Sequence, residues 1–150
     1  MTIYFFKMIN INPGQIVYLE CLDQRLYAEA IQVAGSVRLW CRPLMLVCRL
    51  PYGSRQQQHK IAAAAADPET CDIELYDLKT APDLLWPITS FKMAFDTDFF
   101  ALLFHLRIAE DSGPEDVAKQ HFQQFLHMCW THNSSDDDTP QASTKLVSIR

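Results

Sequence analysis

The sequence predicts an α+β domain in which a strand-rich first half precedes two C-terminal helices, and three observations carry that expectation. Runs rich in β-branched and aromatic residues alternate with turn signals as far as residue 78. Helix-capping residues stand ahead of two further stretches, one beginning near Phe99 and one near Glu115. A chain of 150 residues, 49% of them apolar, suits one core.

Taken in order, Pro13-Gly14 signals a turn, and Gln15-Ile16-Val17-Tyr18-Leu19-Glu20 behind it fits a pleated surface. Asp23-Gln24 turns the chain into a second strand over residues 26–33. Its alternation is imperfect, with Ala28, Ala30 and Gln32 set against Tyr27, Glu29, Ile31 and Val33. Gly35-Ser36 is the next break. Residues 37–42 then alternate apolar with basic or thiol side chains and run through Pro43 into Leu44-Met45-Leu46-Val47. This reads as one long strand, bent where proline cannot donate a ladder hydrogen bond. A fourth strand over residues 71–78 places Ile73, Leu75 and Asp77 on one face. Short turns join these strands, so the expected arrangement is an antiparallel meander of four to five strands, curled into a small barrel of the Src-homology-3 type over about residues 13–90. Residues 52–70, with Gln56-Gln57-Gln58 and the alanines 62–66, read as a flexible insertion, because so short an alanine helix is marginal in water.

Prolines 82 and 87 hold the segment between them to a turn and a short extended piece. Asp96, Thr97 or Asp98 caps a helix beginning near Phe99, which Glu110-Asp111-Ser112-Gly113 ends. Ser112 or Gly113 caps the second helix, with Pro114 in its first turn and Glu115 and Asp116 complementing the positive end of its dipole. Ala118, Phe122, Phe125, Leu126 and Cys129 form its apolar side, with Lys119, Gln120, Gln123 and Gln124 largely opposite. The two helices occupy about residues 97–132, completing one globular domain over residues 1–132, and residues 133–150 read as a disordered acidic tail.

Thirteen basic against eighteen acidic residues give a formal charge of −5, which disfavours binding to a phosphate backbone. Cys21, Cys41, Cys48, Cys71 and Cys129 are odd in number and include no Cys-x-x-Cys pair, which points to free thiols in a reducing cytoplasm rather than a disulfide framework. The N-terminal apolar patch lacks the basic residues and cleavage site of a signal peptide. The apolar stretch Phe99 to Ile108 is broken by His105 and Arg107 and falls short of the roughly 20 residues of a membrane span.

No set of residues reads as catalytic. His121, His127, Cys129 and His132 carry zinc-ligand chemistry, but on a helix only Cys129 and His132 share a face, and the expectation is solvent-facing histidines around a buried cysteine. Asp72, Glu74, Asp77 and Asp83 read as solvated strand edges rather than an acid–base pair. The glycines at 14, 35, 53 and 113 make no phosphate loop. The sequence therefore implies no cofactor and no metal. Binding chemistry is better represented. Arg38, Trp40 and Arg42 alternate along a strand and offer a cation–aromatic surface, unless Trp40 turns to the core. Leu84, Leu85 and Trp86, with Phe91, Phe95, Phe99, Phe100, Leu103 and Phe104, supply more large apolar side chains than sealing the core requires.

The pieces PGQIVYLE, LYAEAIQV and LWCRPLML between Pro13 and Leu46, and YDLKTAPDLLWPITSFKMAFDTDFFALL from Tyr76 to Leu103, resemble a family of small cyanobacterial proteins with no assigned activity. The likeness covers about two thirds of the chain and rests most on Arg42-Pro43-Leu44, Asp83-Leu84-Leu85-Trp86-Pro87 and Ala94-Phe95-Asp96-Thr97-Asp98. It implies a source and no mechanism. The function expected from the residues is a non-enzymatic binding or assembly module that takes a protein partner through Arg38, Trp40, Arg42, Trp86, Phe100 and Phe104, with a homo-oligomer also open. Two alternatives stand beside it: an enzyme using Cys41, Cys71 or Asp77 beside a histidine in a cleft, and a small RNA-binding barrel reading through Arg38, Trp40 and Arg42.

Overall fold

Alternating apolar residues between tight turns fold the first half of the chain into consecutive antiparallel strands: β1 (Ile16–Cys21), β2 (Gln24–Ala34) and β3 (Arg38–Cys48). The structure, a computed structural model, describes residues 10–50, 73–94, 96–108 and 114–136. The expected insertion at 52–70, Cys71 and the tail beyond residue 136 lie outside them. The first hairpin turns at Leu22-Asp23, one residue earlier than the sequence suggested, because Cys21 pairs with Gln24 and Leu22 takes a φ of 54°. Gly35 and Ser36, with φ of 61° and 57°, turn the second.

β4 (Glu74–Asp77) and β5 (Leu84–Pro87) share one edge of β3, β4 along Met45–Cys48 and β5 along Arg38–Cys41. A single 3-10 turn, Ile88–Ser90, leads to the two-residue β6 (Lys92–Met93), which pairs with β1. The result is a six-stranded antiparallel sheet followed by α1 (Asp96–Ile108) and α2 (Glu115–Asp136), an α+β fold in the expected order. The ladders trace an open path, β4-β3-β2-β1-β6 with β5 beside β3, and not a closed barrel.

The path is nevertheless strongly curled. Pro87 pairs with Arg38 at one end of β3, and Lys92 pairs with Tyr18 in β1. Laid flat, β5 and β6 would be separated by four strand spacings, about 19 Å, and displaced along the strands as well. The chain from Pro87 to Lys92 reaches at most about 18 Å, so the sheet folds over on itself. Two irregularities in the β2–β3 ladder, between Tyr27 and Ala28 and between Ala30 and Gln32, supply bends. Ile31 is the extra residue of the second. It returns Val33 to the face of Ala28 and Ala30, which accounts for the imperfect alternation of this strand.

Each face of the sheet carries a helix. Val17, Leu19, Cys21, Leu26, Ala28, Leu39 and Leu46 form one core with Ala118, Phe122, Phe125 and Cys129 of α2. Tyr18, Tyr27, Met45 and Val47, from the alternate positions, form a second core with Phe99, Leu102 and Leu106 of α1. α2 opens at Pro114, whose carbonyl accepts from the Val117 and Ala118 N–H groups, with Glu115 and Asp116 in the first turn. It continues to Asp136, past the end expected at residue 132, as neither glycine nor proline interrupts that stretch. Among the described residues no helix is long and apolar enough to cross a membrane.

Candidate functional site

On β3 the alternation puts Leu39 and Cys41 into the α2-side core and leaves Arg38, Trp40 and Arg42 together on the outer face. Trp40 does not turn inward. Its indole N–H donates to Asp83 Oδ2 at 3.0 Å, and across the ladder it meets Leu85 of β5; the two are 41% and 48% exposed. Arg42 lies 3.9 Å from Asp83 and 4.0 Å from Glu29. At that length and exposure such pairs contribute little to stability, but they place carboxylates beside the cations of this face. A phosphate backbone would meet those carboxylates, which weighs against the RNA-binding alternative.

The second outward surface is on α1. Phe99, Leu102 and Leu106 are buried, whereas Phe100, Phe104 and Ile108, at spacing i, i+4, i+8, are 58%, 62% and 58% exposed. The helix is therefore apolar on two sides, one against the sheet and one bare. Scattered exposed apolar residues are ordinary, but three in a row along one helix make a continuous stripe of about 350 Å², in the range where surface patches are often functional.

Trp86 is placed elsewhere. Because β5 pairs with β3, Trp86 points to the α2 side, is 7% exposed, and packs edge-on against Trp130 at 5.8 Å between ring centroids. Of the six residues that the sequence singles out for partner binding, the structure gathers Arg38, Trp40 and Arg42 on one strand face and Phe100 and Phe104 on α1, and puts Trp86 in the core. Leu85, expected among the surplus apolar side chains, and Ile108, which sequence reasoning passed over as a contact, are the outward apolar neighbours at these two surfaces.

Of the residues of the enzymatic alternative, Cys71 lies outside the described residues, and Cys41 and Asp77 are engaged separately. Cys41 is fully buried, and Asp77 accepts the Lys79 backbone N–H at 2.9 Å while its other oxygen lies 3.6 Å from Lys79 Nζ. His121 stacks on Tyr76 with centroids 4.3 Å apart, while His127 and His132 are exposed and Cys129 turns inward. Among the described residues no three His, Cys, Asp or Glu side chains are grouped so as to hold a metal ion.

Burial pushes the Cys41 and Cys48 thiols up to about 12 from an ordinary value near 9. The unfolded chain releases these protons above pH 9 while the folded chain keeps them, so their stabilisation is complete below pH 9 and is lost as pH rises towards 12. For the two thiols the expected loss is about 3 kcal/mol per pH unit within that window. Burial raises Tyr18 and Tyr27 too, which adds to the fall. Urea midpoints measured between pH 8 and 10.5 check this, with Cys41→Ala expected to flatten the slope; a midpoint constant over that range would contradict it. Comparison with family models, curated proteins and solved structures finds no match to the chain.

Proposed function

We propose that the protein is a non-enzymatic binding module that docks a partner protein on the bare side of α1. The observation that carries this reading is the exposed stripe of Phe100, Phe104 and Ile108 on a helix whose other side already fills a core. Such a stripe presents the i, i+4, i+8 anchors with which helices enter apolar grooves. Covering about 350 Å² of apolar surface is worth about 9 kcal/mol before the cost of association, enough to matter for binding but not for a permanent assembly on its own. The face of Arg38, Trp40, Arg42 and Leu85 supplies a second, mixed contact of the kind found at interfaces, with an aromatic centre and arginines around it. A formal charge of −5 sets two copies in mutual repulsion, which favours a different protein as the partner.

The scaffold in this reading is a partly opened small barrel of the Src-homology-3 kind. Its support is the meander β1-β2-β3, the 3-10 turn ahead of a short last strand, the return of that strand to β1, and the fold-over that the four-residue link between Pro87 and Lys92 requires. The thiols of Cys21, Cys41, Cys48 and Cys129 are free, in keeping with a cytoplasmic location.

The test is capture of partners by tagged protein from its source cells, comparing wild type with Phe100→Ser/Phe104→Ser. The two rings account for up to about 6 kcal/mol of the buried surface, so a reproducible partner is expected to bind the variant at least a hundredfold and up to about ten-thousandfold more weakly. Equal capture by both proteins would remove the α1 surface from the reading.

A further inference from the structure

Two of the core cysteines also line a cavity. Cys21 ends β1 and Cys129 sits in α2, more than a hundred residues further along the chain, yet both line one cavity of about 520 Å³ together with Glu20, Trp86, Thr89 and Ser90. They belong to the same core, where each thiol perturbs the ionisation of the other. Burial by itself would make each an inert apolar filler. What distinguishes this pair from Cys41 and Cys48 is that both line one cavity. The indole N–H of Trp86, another lining residue, is buried without a hydrogen-bond partner, so the wall of this cavity carries an unused donor as well.

We propose that Cys21 and Cys129 are a reversible redox pair, closed to a disulfide by a low-molecular-weight disulfide such as oxidised glutathione that reaches them through this cavity. Cys21 is the attacking thiol. The neighbouring Cys129 thiol favours the ionised form of Cys21, although burial still holds Cys21 above the ordinary thiol range, which makes the reaction slow. Cys21 gives up its proton and its sulfur attacks one sulfur of oxidised glutathione, breaking that S–S bond and expelling one glutathione thiolate. Cys129 then loses its proton and attacks the Cys21 sulfur of the mixed disulfide, expelling the second. Two protein thiols have lost two protons and two electrons, and oxidised glutathione has become two glutathione thiols. In the closed form β1 is tied to α2 across a chain loop of about a hundred residues, a length at which a cross-link strongly limits the unfolded chain. In a reducing compartment such a bond is transient and serves as a sensor rather than as framework.

The full-length protein, equilibrated in oxidising glutathione buffer, alkylated and digested without reduction, is expected to yield one peptide pair joining Cys21 to Cys129. The expected intact mass is two hydrogens lighter than that of the reduced protein, and Tm is expected to rise by about 10 °C, reversed by dithiothreitol. Cys129→Ala is expected to stop at glutathione on Cys21, and Cys21→Ala to leave Cys129 unmodified. Full alkylation of both thiols in the folded wild type after equilibration, or capture of Cys21 by a different cysteine of the chain, would overturn the proposal without depending on either variant.

Discussion

Phe125→Ala is expected to destabilise the protein by about 4 kcal/mol, read as a shift of the urea midpoint at unchanged slope. Phe125 has no exposed surface and lies in the core between α2 and the sheet, between Phe122 one turn before it and Cys129 one turn after. Neighbours on two elements enclose the ring, so its removal leaves a cavity that the helix cannot fill by moving without giving up Phe122 and Ala118 as well. For a domain whose total stability is of the usual order of 5–15 kcal/mol, that is a large fraction. A loss below about 1 kcal/mol would mean that α2 is not docked on the sheet.

The second large effect is electrostatic. Arg25 is 4% exposed: its guanidinium stacks on the Tyr18 ring at 3.8 Å, donates to the Tyr27 hydroxyl at 3.3 Å, and donates from Nε and Nη2 to Glu20 Oε2 at 3.0 and 2.6 Å. Glu20→Ala removes the counter-charge and leaves the cation buried among aromatic rings. The expected cost is about 3 kcal/mol, at the lower end for a broken buried pair, as the Glu20 side chain is 18% exposed and water reaches it. Replacing both partners, as Glu20→Leu with Arg25→Met, is expected to cost less than Glu20→Ala alone, because no charge is then stranded. Urea midpoints of the three proteins decide it. A double variant less stable than Glu20→Ala would show that the pair acts through packing and not through charge.

The fold and the candidate site were legible to different depths. β1, β2 and β3 follow from alternation and turn chemistry, and the buried side of α2 follows from its spacing, because each pattern lies within one segment. β6 has two residues, too few for any period, and exists only because the curled sheet brings Lys92 and Met93 beside β1. The inward turn of Trp86 and the outward turn of Leu85 depend on the register of β5 against β3, forty-odd residues away, which composition cannot reveal. On β3, by contrast, the period of two was sufficient to group Arg38, Trp40 and Arg42 and left open only which face they take. On α1 nearly every turn is apolar, so periodicity cannot choose the buried side. It is Tyr18, Tyr27, Met45 and Val47 beneath it that select Phe99, Leu102 and Leu106 and leave Phe100, Phe104 and Ile108 outside. The meeting of Cys21 with Cys129 has no signature in spacing at all.

The central claim is that the bare side of α1 binds and does not stabilise. Urea midpoints and partner capture, measured side by side for wild type and Phe100→Ser/Phe104→Ser, test it most directly. Exposed positions are expected to change stability by no more than about 0.5 kcal/mol each while the captured partner is lost. A variant destabilised by several kcal/mol, as a core substitution would be, or one that keeps its partner, would contradict the claim.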